Sequence, residues 1–425
     1  MSSYEKVRGA QLLEMCSRPA KEDEEGCYVA VYIAVRLPDD VKRDLLTLSK
    51  EIHAEPELAY KEERAALRIR TLLERRGHTV EMGLGGLATA FRARVGPAGK
   101  SVALLAEYDA LKGVGHGCGH NLIALTNVGA FLLAATEPTR LEIAIELIGT
   151  PAEEDGGGKI DLINAGAFDE VAFALSTHPA AQGEWGVSAT GLGIVGKRVV
   201  YRGQSSHAGS SPERGRNALN GLVRLFTGVD GWRQQLPTTS RVHGIIDFGG
   251  DAVNVVPSRA DGRFGLRAAD LGTLDEMVAT FTDIAHGAAL ETDTSVEITD
   301  YLPLYAPVSA NRVLGDVLAE ELRARGVDAA RGTLVTASTD LGNVSQKVPT
   351  DWIRFPVTET PIAGHSDAMR DACVADLAHR NALTTTEALA AAARRVATDA
   401  RLRDRISAAS AAGVAARAAG VGAPV

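Results

Sequence analysis

The stretch GVGHGCGHN, residues 113–121, places His116, Cys118 and His120 within five positions. Imidazole and thiolate are the donors that zinc and related ions prefer. A local cluster cannot close a site alone, so three readings open: a metal centre, a reactive thiol, or a coincidence. The metal reading requires further donors from distant segments. They are present in PAEEDGGG, with Glu153 and Glu154, in STHP, with His178, and in GHS, with His365. Each has a bland alternative. A lone cysteine is usually a small core residue, a histidine before proline is a hydrogen-bonded loop residue, and paired glutamates are a solvated face. Glycines on both sides of Cys118, and three after Asp155, favour the metal. Glycine lets the backbone approach a ligand closely, and a charged helix face does not need it. The paired glutamates then divide their work. One carboxylate binds the ion while its neighbour, held off it, acts as general base and then general acid.

Such a site needs elements that end together. SVALLAEYDAL (101–111) reads as a buried strand with a polar end, followed after the Cys/His cluster by a helix over 121–135. LEIAIELIGTPAEEDGGG (141–158) is a strand ending in acids and glycines. A short helix near KIDLINAG and a strand, VAFALSTHPA, follow. In EERAALRIRTLLERRG, the residues Ala65, Ile69, Leu72 and Leu73 share one helical face that stops at Gly77. This rhythm predicts an α/β fold, a mostly parallel sheet flanked by helices, with its chemistry at the carboxyl ends of the strands. From residue 188 the texture changes to antiparallel strands (GLGIVGKRVVYRG, RVHGIIDFGGDAVNVVP, RADGRFGLRAAD) with helices near 216–235 and 272–290. The expected organisation is a catalytic domain in two parts, 1–187 and 302–425, interrupted by an α+β insert at 188–301. Residues 1–37 read as an extension or cover strand. The Ala/Arg-rich end reads as one long helix with a frayed low-complexity tail, AAGVAARAAGVGAPV.

Composition narrows the function classes. The 425 residues carry a net charge of -9, with 45% hydrophobic and 23% charged residues, as in an ordinary globular protein. Without a Lys/Arg block, nucleic acid is not an expected partner. The apolar run YVAVYIAV (28–35) follows KEDEEG. That is the wrong charge for a signal sequence, and the run is too short to span a bilayer. Cys16, Cys27, Cys118 and Cys373 lack paired spacing, which fits a reducing compartment. A cytoplasmic, membrane-free location is expected.

The motifs GVGHGCGHN, GTPAEEDGGGKIDLINAGAF, STHP, GQSSHAGSSPERGRNAL, NVVPSRADGRFGLR and GHS resemble, in order, those of the aminoacylase and glutamate-carboxypeptidase superfamily. This is metallopeptidase family twenty of clan MH. IHAEPELAYKEERAA is similar to the first helix region of its amidohydrolase branch, and PAEEDGGGK to the part holding aminobenzoyl-glutamate and β-alanyl-dipeptide hydrolases. The resemblance covers residues 38–396. It implies a metal-dependent exopeptidase-like domain with a lid/dimerisation insert, one or two divalent ions (zinc or manganese), and a homodimer or higher homo-oligomer. It implies metal ligation by Cys118, His120, Glu154, His178 and His365, with Glu153 as general base and Asp109 orienting a ligand or the metal. His207 matches the lid histidine that meets the oxyanion from the partner subunit. Asn254 and Arg267 match lid positions that meet a polar group or carboxylate of the substrate. Their plainer readings are a turn Asn and a surface strand Arg. One departure stands out: Glu107 of EYD occupies the position where many relatives carry a ligand histidine. His116 is a further ligand candidate or a residue behind the ligands.

The function this implies is hydrolysis of a C–N bond in a small carboxylate-bearing substrate: an N-acyl amino acid, aminobenzoyl-glutamate or a dipeptide. The same parts could expel ammonia from an activated aromatic amine such as 5-nitroanthranilate, as one family member does. A non-catalytic ligand-binding relative would lack the Glu153 equivalent or a ligand, and both are intact here. A thiol enzyme built on Cys118 would be sensitive to alkylation and not to chelation, but no partner pattern for it is visible.

Overall fold

The computed structural model describes residues 36–181 and 183–418. The expectations for the first thirty-five residues, for Cys16 and Cys27, and for the tail beyond Ala418 lie outside the described residues. SVALLA and AIELIG are buried along their whole length. Strands apolar on both faces must be covered on both faces, which is the situation of a central parallel sheet. They are β3 (Ser101–Ala106) and β4 (Ala144–Gly149), after the short β1 (Val80–Met82) and β2 (Phe91–Val95). The remaining strands are β5 (Val171–Ala180), β6 (Gly186–Val187), β7 (Thr190–Gly191), β8 (Gly193–Arg202), β9 (Arg241–Phe248), β10 (Arg259–Ala268), β11 (Ser295–Tyr305), β12 (Ala330–Arg331), β13 (Leu334–Val335) and β14 (Thr350–Pro356).

Among the described residues, the main sheet has eight strands in the order β1-β2-β4-β3-β5-β14-β6-β12. Its centre, β4-β3-β5-β14, is parallel, as expected, and antiparallel pairs lie towards its edges. Register decides where the polar strand ends meet. Ala106 of β3 lies beside Gly149 of β4, so the loops carrying Asp109 and Glu153 leave the sheet side by side. His178 of β5 pairs with Arg354 of β14 at the same end.

Helices cover this sheet: α1 (Asp39–Ala54), α2 (Glu63–Arg75), α3 (His120–Ala134) and α4 (Gly158–Asn164). Ala65, Ile69, Leu72 and Leu73 are all buried on α2, the face anticipated from their spacing. Every residue of α3 is buried, as a helix apolar all round must be. It begins at His120, one residue earlier than the sequence suggests.

The antiparallel segment forms a second sheet, β11-β8-β10-β9, packed on α5 (Ala218–Trp232) and α6 (Leu271–Glu291). Its last strand runs to Tyr305, past the expected limit at 301, because β11 stays paired with β8 as far as Tyr305. After α7 (Arg312–Arg323), α8 (Leu341–Lys347) and α9 (Asp367–Ala372), the chain ends in two helices, α10 (Asp376–Thr398) and α11 (Ala400–Ala418). The single terminal helix anticipated from composition is broken at Asp399. That residue is extended, and its carboxylate caps the next helix by accepting from Leu402 N at 3.0 Å. Helix α11 continues to Ala418. Among the described residues, no helix is long and apolar enough to cross a membrane.

In the second sheet, Phe264 packs between Phe226 and Phe281, with ring centroids 4.7 and 5.0 Å away. Phe264→Ala should cost about 3–5 kcal/mol, read as a lower urea midpoint, and leave the metal content of the folded protein unchanged.

Candidate metal centre

Three loops and two strand ends converge on His120. Gly119 enters α3 with φ +87°, and a side chain there would meet Pro179 at 2.8 Å and Cys373 Sγ at 2.9 Å. Only glycine lets the cluster turn into the helix that tightly. His120, first residue of α3, is wholly buried. Its Nδ1 donates to Asp109 Oδ1 at 2.8 Å, which turns Nε2 towards the other donors. Asp109 Oδ2 accepts from the Glu154 backbone N at 2.9 Å. One carboxylate therefore ties the Cys/His motif to the Glu-Glu motif.

The Glu-Glu loop is built for close approach. Ala152 has φ +59°, and a side chain at Gly158 would lie 2.0 Å from the Pro151 carbonyl oxygen. Glu153 and Glu154 each bring a carboxylate oxygen to 3.7 Å from His120 Nε2. His178 donates through Nδ1 to the Pro179 carbonyl at 2.7 Å, so its Nε2 is the free donor atom, 3.4 Å from Cys118 Sγ. His365, at φ +54°, hangs its backbone N on Gly117 O at 3.1 Å and holds Nε2 3.7 Å from Glu154 Oε2. Ser366 behind it caps α9.

The donor atoms form overlapping groups: Cys118, His120 and His178; Cys118, Glu154 and His365; Glu107, His120 and Glu153. Within each group they lie within 4.8 Å of one another. His120 Nε2, Glu154 Oε1 and Glu107 Oε2 are buried without a hydrogen-bond partner. Unpaired buried polar atoms are costly, and a divalent cation would satisfy all three. The soft and hard donors together suit zinc or manganese. The structure thus brings together all five sequence-predicted ligands with Glu153 and Asp109.

Electrostatics agree. Burial and the neighbouring Glu107 and Glu154 push the Glu153 carboxyl well up. Burial pushes the Cys118 thiol well up too, helped by Glu154, and burial drives His178 down to about 4. A charged imidazolium at His178 beside Cys118 is therefore disfavoured, whereas Asp109 and Cys118 raise the pKa of the buried His120. His116 is buried and stacked on His53 at 6.1 Å, outside the donor groups.

Two partners were not read from the sequence. Lys159, wholly buried at the start of α4, reaches Glu107 Oε1 at 2.7 Å and Asp340 Oδ1 at 2.6 Å. Burial opposes its charge, but Asp340, Glu107 and Glu153 outweigh that and raise its pKa. The signal for Lys159 was there: a cation in the first turn of a helix opposes the dipole and calls for a carboxylate. Asp340 reads as an ordinary cap before α8, but its side chain makes no capping bond.

The remaining predicted residues lie on the second sheet and its loops. His207 Nδ1 accepts from Gly209 N at 3.2 Å and Ser210 N at 3.1 Å, so the neutral ring carries its proton on Nε2. Asn254 adjoins it, accepting from Ala208 N through its carbonyl at 2.9 Å. Arg267 donates to Ser338 Oγ at 2.7 Å and approaches His243 at 3.3 Å.

Residues 103–384 match peptidase family M20/M25/M40. The chain belongs to this family. It is accordingly a metal-dependent hydrolase of amide bonds in small substrates. It is 36% identical over 377 residues to the Xaa-Arg dipeptidase of Mus musculus, covering 83% of this chain and 85% of that protein. It is 32% identical over 285 residues to one of the subunits of p-aminobenzoyl-glutamate hydrolase from Escherichia coli, covering 60% of this chain and 58% of that one. Its fold is that of a dinuclear metal-binding peptidase of the family from Bacillus subtilis, with a TM-score of 0.66 at 17% identity over 85% of this chain and 99% of that one.

Asp109→Ala removes the acceptor that fixes the His120 ring. Metal affinity should fall about 10–100-fold, measured by competition with a chromophoric chelator.

Proposed function

We propose that the chain cleaves the amide bond of dipeptides or similarly small N-acyl amino acids that carry a free carboxylate. The observation that carries this reading is that Cys118, His120, Glu154, His178 and His365 fall into two donor groups sharing Cys118, with a Glu153 carboxylate oxygen 3.7 Å from His120 Nε2. Support for a dipeptide over aminobenzoyl-glutamate comes from the higher identity and coverage of the Xaa-Arg dipeptidase relative.

In this reading those five residues would hold one or two divalent ions, zinc or manganese. When bound, the ion polarises the amide carbonyl and acidifies the attacking water. Glu153 accepts the proton of that water and delivers it to the departing amine nitrogen. Asp109 keeps His120 in one tautomer. His207, its proton held on Nε2 by the amides behind it, donates to the oxyanion. Arg267 binds the substrate carboxylate, which as an anion outcompetes the neutral Ser338 hydroxyl, and Asn254 meets a second polar group. The insert acts as lid and dimer surface, so that His207 serves the partner's site. The unpaired thiols of Cys118 and Cys373 fit a cytoplasmic setting.

The test is a screen of zinc- or manganese-loaded protein against dipeptides, N-acyl amino acids, p-aminobenzoyl-glutamate and anthranilates. Release of a free amino acid from dipeptides is expected. Turnover confined to anthranilates would assign deamination instead, and activity that survives complete chelation would overturn the metal reading. Glu153→Gln should lower kcat about 10²–10⁴-fold with metal content unchanged. If it empties the site while Glu154→Gln does not, the two roles are reversed. Mixing inactive His207→Ala with inactive Glu153→Ala under subunit exchange should restore part of the activity. Exchange without recovery would remove His207 from a shared site.

A further inference from the structure

The segment PELAYKEE, residues 56–63, carries none of the predicted ligands, yet two of its residues reach the loops that do, and a third reaches the helix after the Glu-Glu loop. The Glu57 carbonyl accepts from Ala110 N at 2.8 Å, next to Asp109. Tyr60 OH donates to Asp161 Oδ2 at 2.7 Å on α4. The wholly buried Glu62 is the most connected. Its Oε1 accepts from Tyr60 N and Ala152 N, both at 2.9 Å, and its Oε2 accepts from Thr89 Oγ1 at 2.9 Å.

Ala152 is the residue immediately before Glu153. It holds a left-handed backbone, φ +59°, which a side chain with a Cβ rarely adopts without outside support. Its carbonyl accepts from Gly157 N at 2.8 Å, and the next carbonyl, that of Glu153, accepts from Tyr305 OH at 2.9 Å. On the amide side of Ala152, the partner is Glu62. A negative carboxylate placed there also adds to the crowding of acids around Asp109, and burial together with Asp109 raises the Glu62 carboxyl to about 7. An apolar residue at 62 would avoid that cost and leave the Ala152 amide unpaired.

We propose that Glu62 is a positioning residue for the reaction: through the Ala152 amide it fixes the left-handed turn that aims the Glu153 carboxylate. This rests on Glu153 as general base. A misaimed catalytic group costs rate while the substrate and metal still bind. Glu62→Ala should therefore lower kcat about 10²-fold, with KM and metal content within about twofold of wild type. Glu62→Gln should keep most of the rate, because its one carbonyl oxygen still accepts both amides and its NH2 group donates to the Thr89 hydroxyl. Thr89→Ala, which removes a Glu62 partner without touching Ala152, should also stay near wild type. Hydrogen exchange in a peptide covering residues 150–156 should quicken in Glu62→Ala and not in Thr89→Ala. Adding Ala152→Gly to Glu62→Ala should recover part of kcat, since glycine adopts the turn unaided.

An unchanged kcat in metal-loaded Glu62→Ala overturns the proposal, as does a loss that tracks loss of metal, or an equal loss in Glu62→Gln. If Glu62→Ala does not fold, Glu62→Asp, one methylene shorter, is read by the same criteria. Glu153→Gln measured alongside separates the two claims. An active Glu153→Gln removes the base itself, whereas an inactive Glu153→Gln beside an active Glu62→Ala removes only the positioning role.

Discussion

Buried negative charge organises this molecule. Glu107, Asp109, Glu153 and Asp340 are buried and Glu154 nearly so, all within reach of His120 or of its neighbours. Carboxylates brought that close out of water repel one another and lose their hydration. The arrangement is tolerable where a carboxyl keeps its proton or cations are interleaved. Lys159 supplies one, lodged between Glu107 and Asp340. A divalent cation would supply the other, by satisfying the unpaired atoms of His120, Glu107 and Glu154. The internal lysine and such an ion would then divide one electrostatic task, the lysine serving the acids on the side of α4 and α8.

Asp109 has the central mechanical place. Its two oxygens are spent on different motifs, one on the His120 ring and one on the Glu154 amide. The distance between the Cys/His turn and the Glu-Glu turn is thereby set by a single side chain. The pairing of β3 with β4 brings both loops to it.

Local pattern carried much of this in the sequence. The uninterrupted apolar runs of β3 and β4, the period of α2, and the strand VAFALSTHPA appear in the structure where their spacing puts them. The donor set was legible because metal chemistry restricts residue type and glycines flag the close approaches. What escaped depends on partners far along the chain. Lys159 and Asp340 are 181 residues apart, and neither has a local reason to be read as half of a pair. The tie from Glu62 to Ala152 is of the same kind. The break at Asp399 escaped for the opposite reason. Alanine-rich sequence on both sides favours helix so evenly that one capping residue is hard to hear against it.

The position of β14 has a consequence for how the protein comes into being. This strand, residues 350–356, lies against β5 in the middle of the main sheet although it is the last strand among the described residues. A nascent polypeptide that has emerged through His178 already carries Cys118, His120 and Glu154. It still lacks the strand that completes the sheet beside β5, and it lacks Asp340 to neutralise Lys159. The whole second sheet emerges before either arrives. Completion of the centre is therefore deferred until residues 340–356 have been made, and a chain lacking them exposes the flank of β5 as an open edge. Long-range closure of this kind is slow and leaves strand edges free to pair wrongly. The antiparallel segment that lies between β5 and β14 in sequence has an aromatic core of its own.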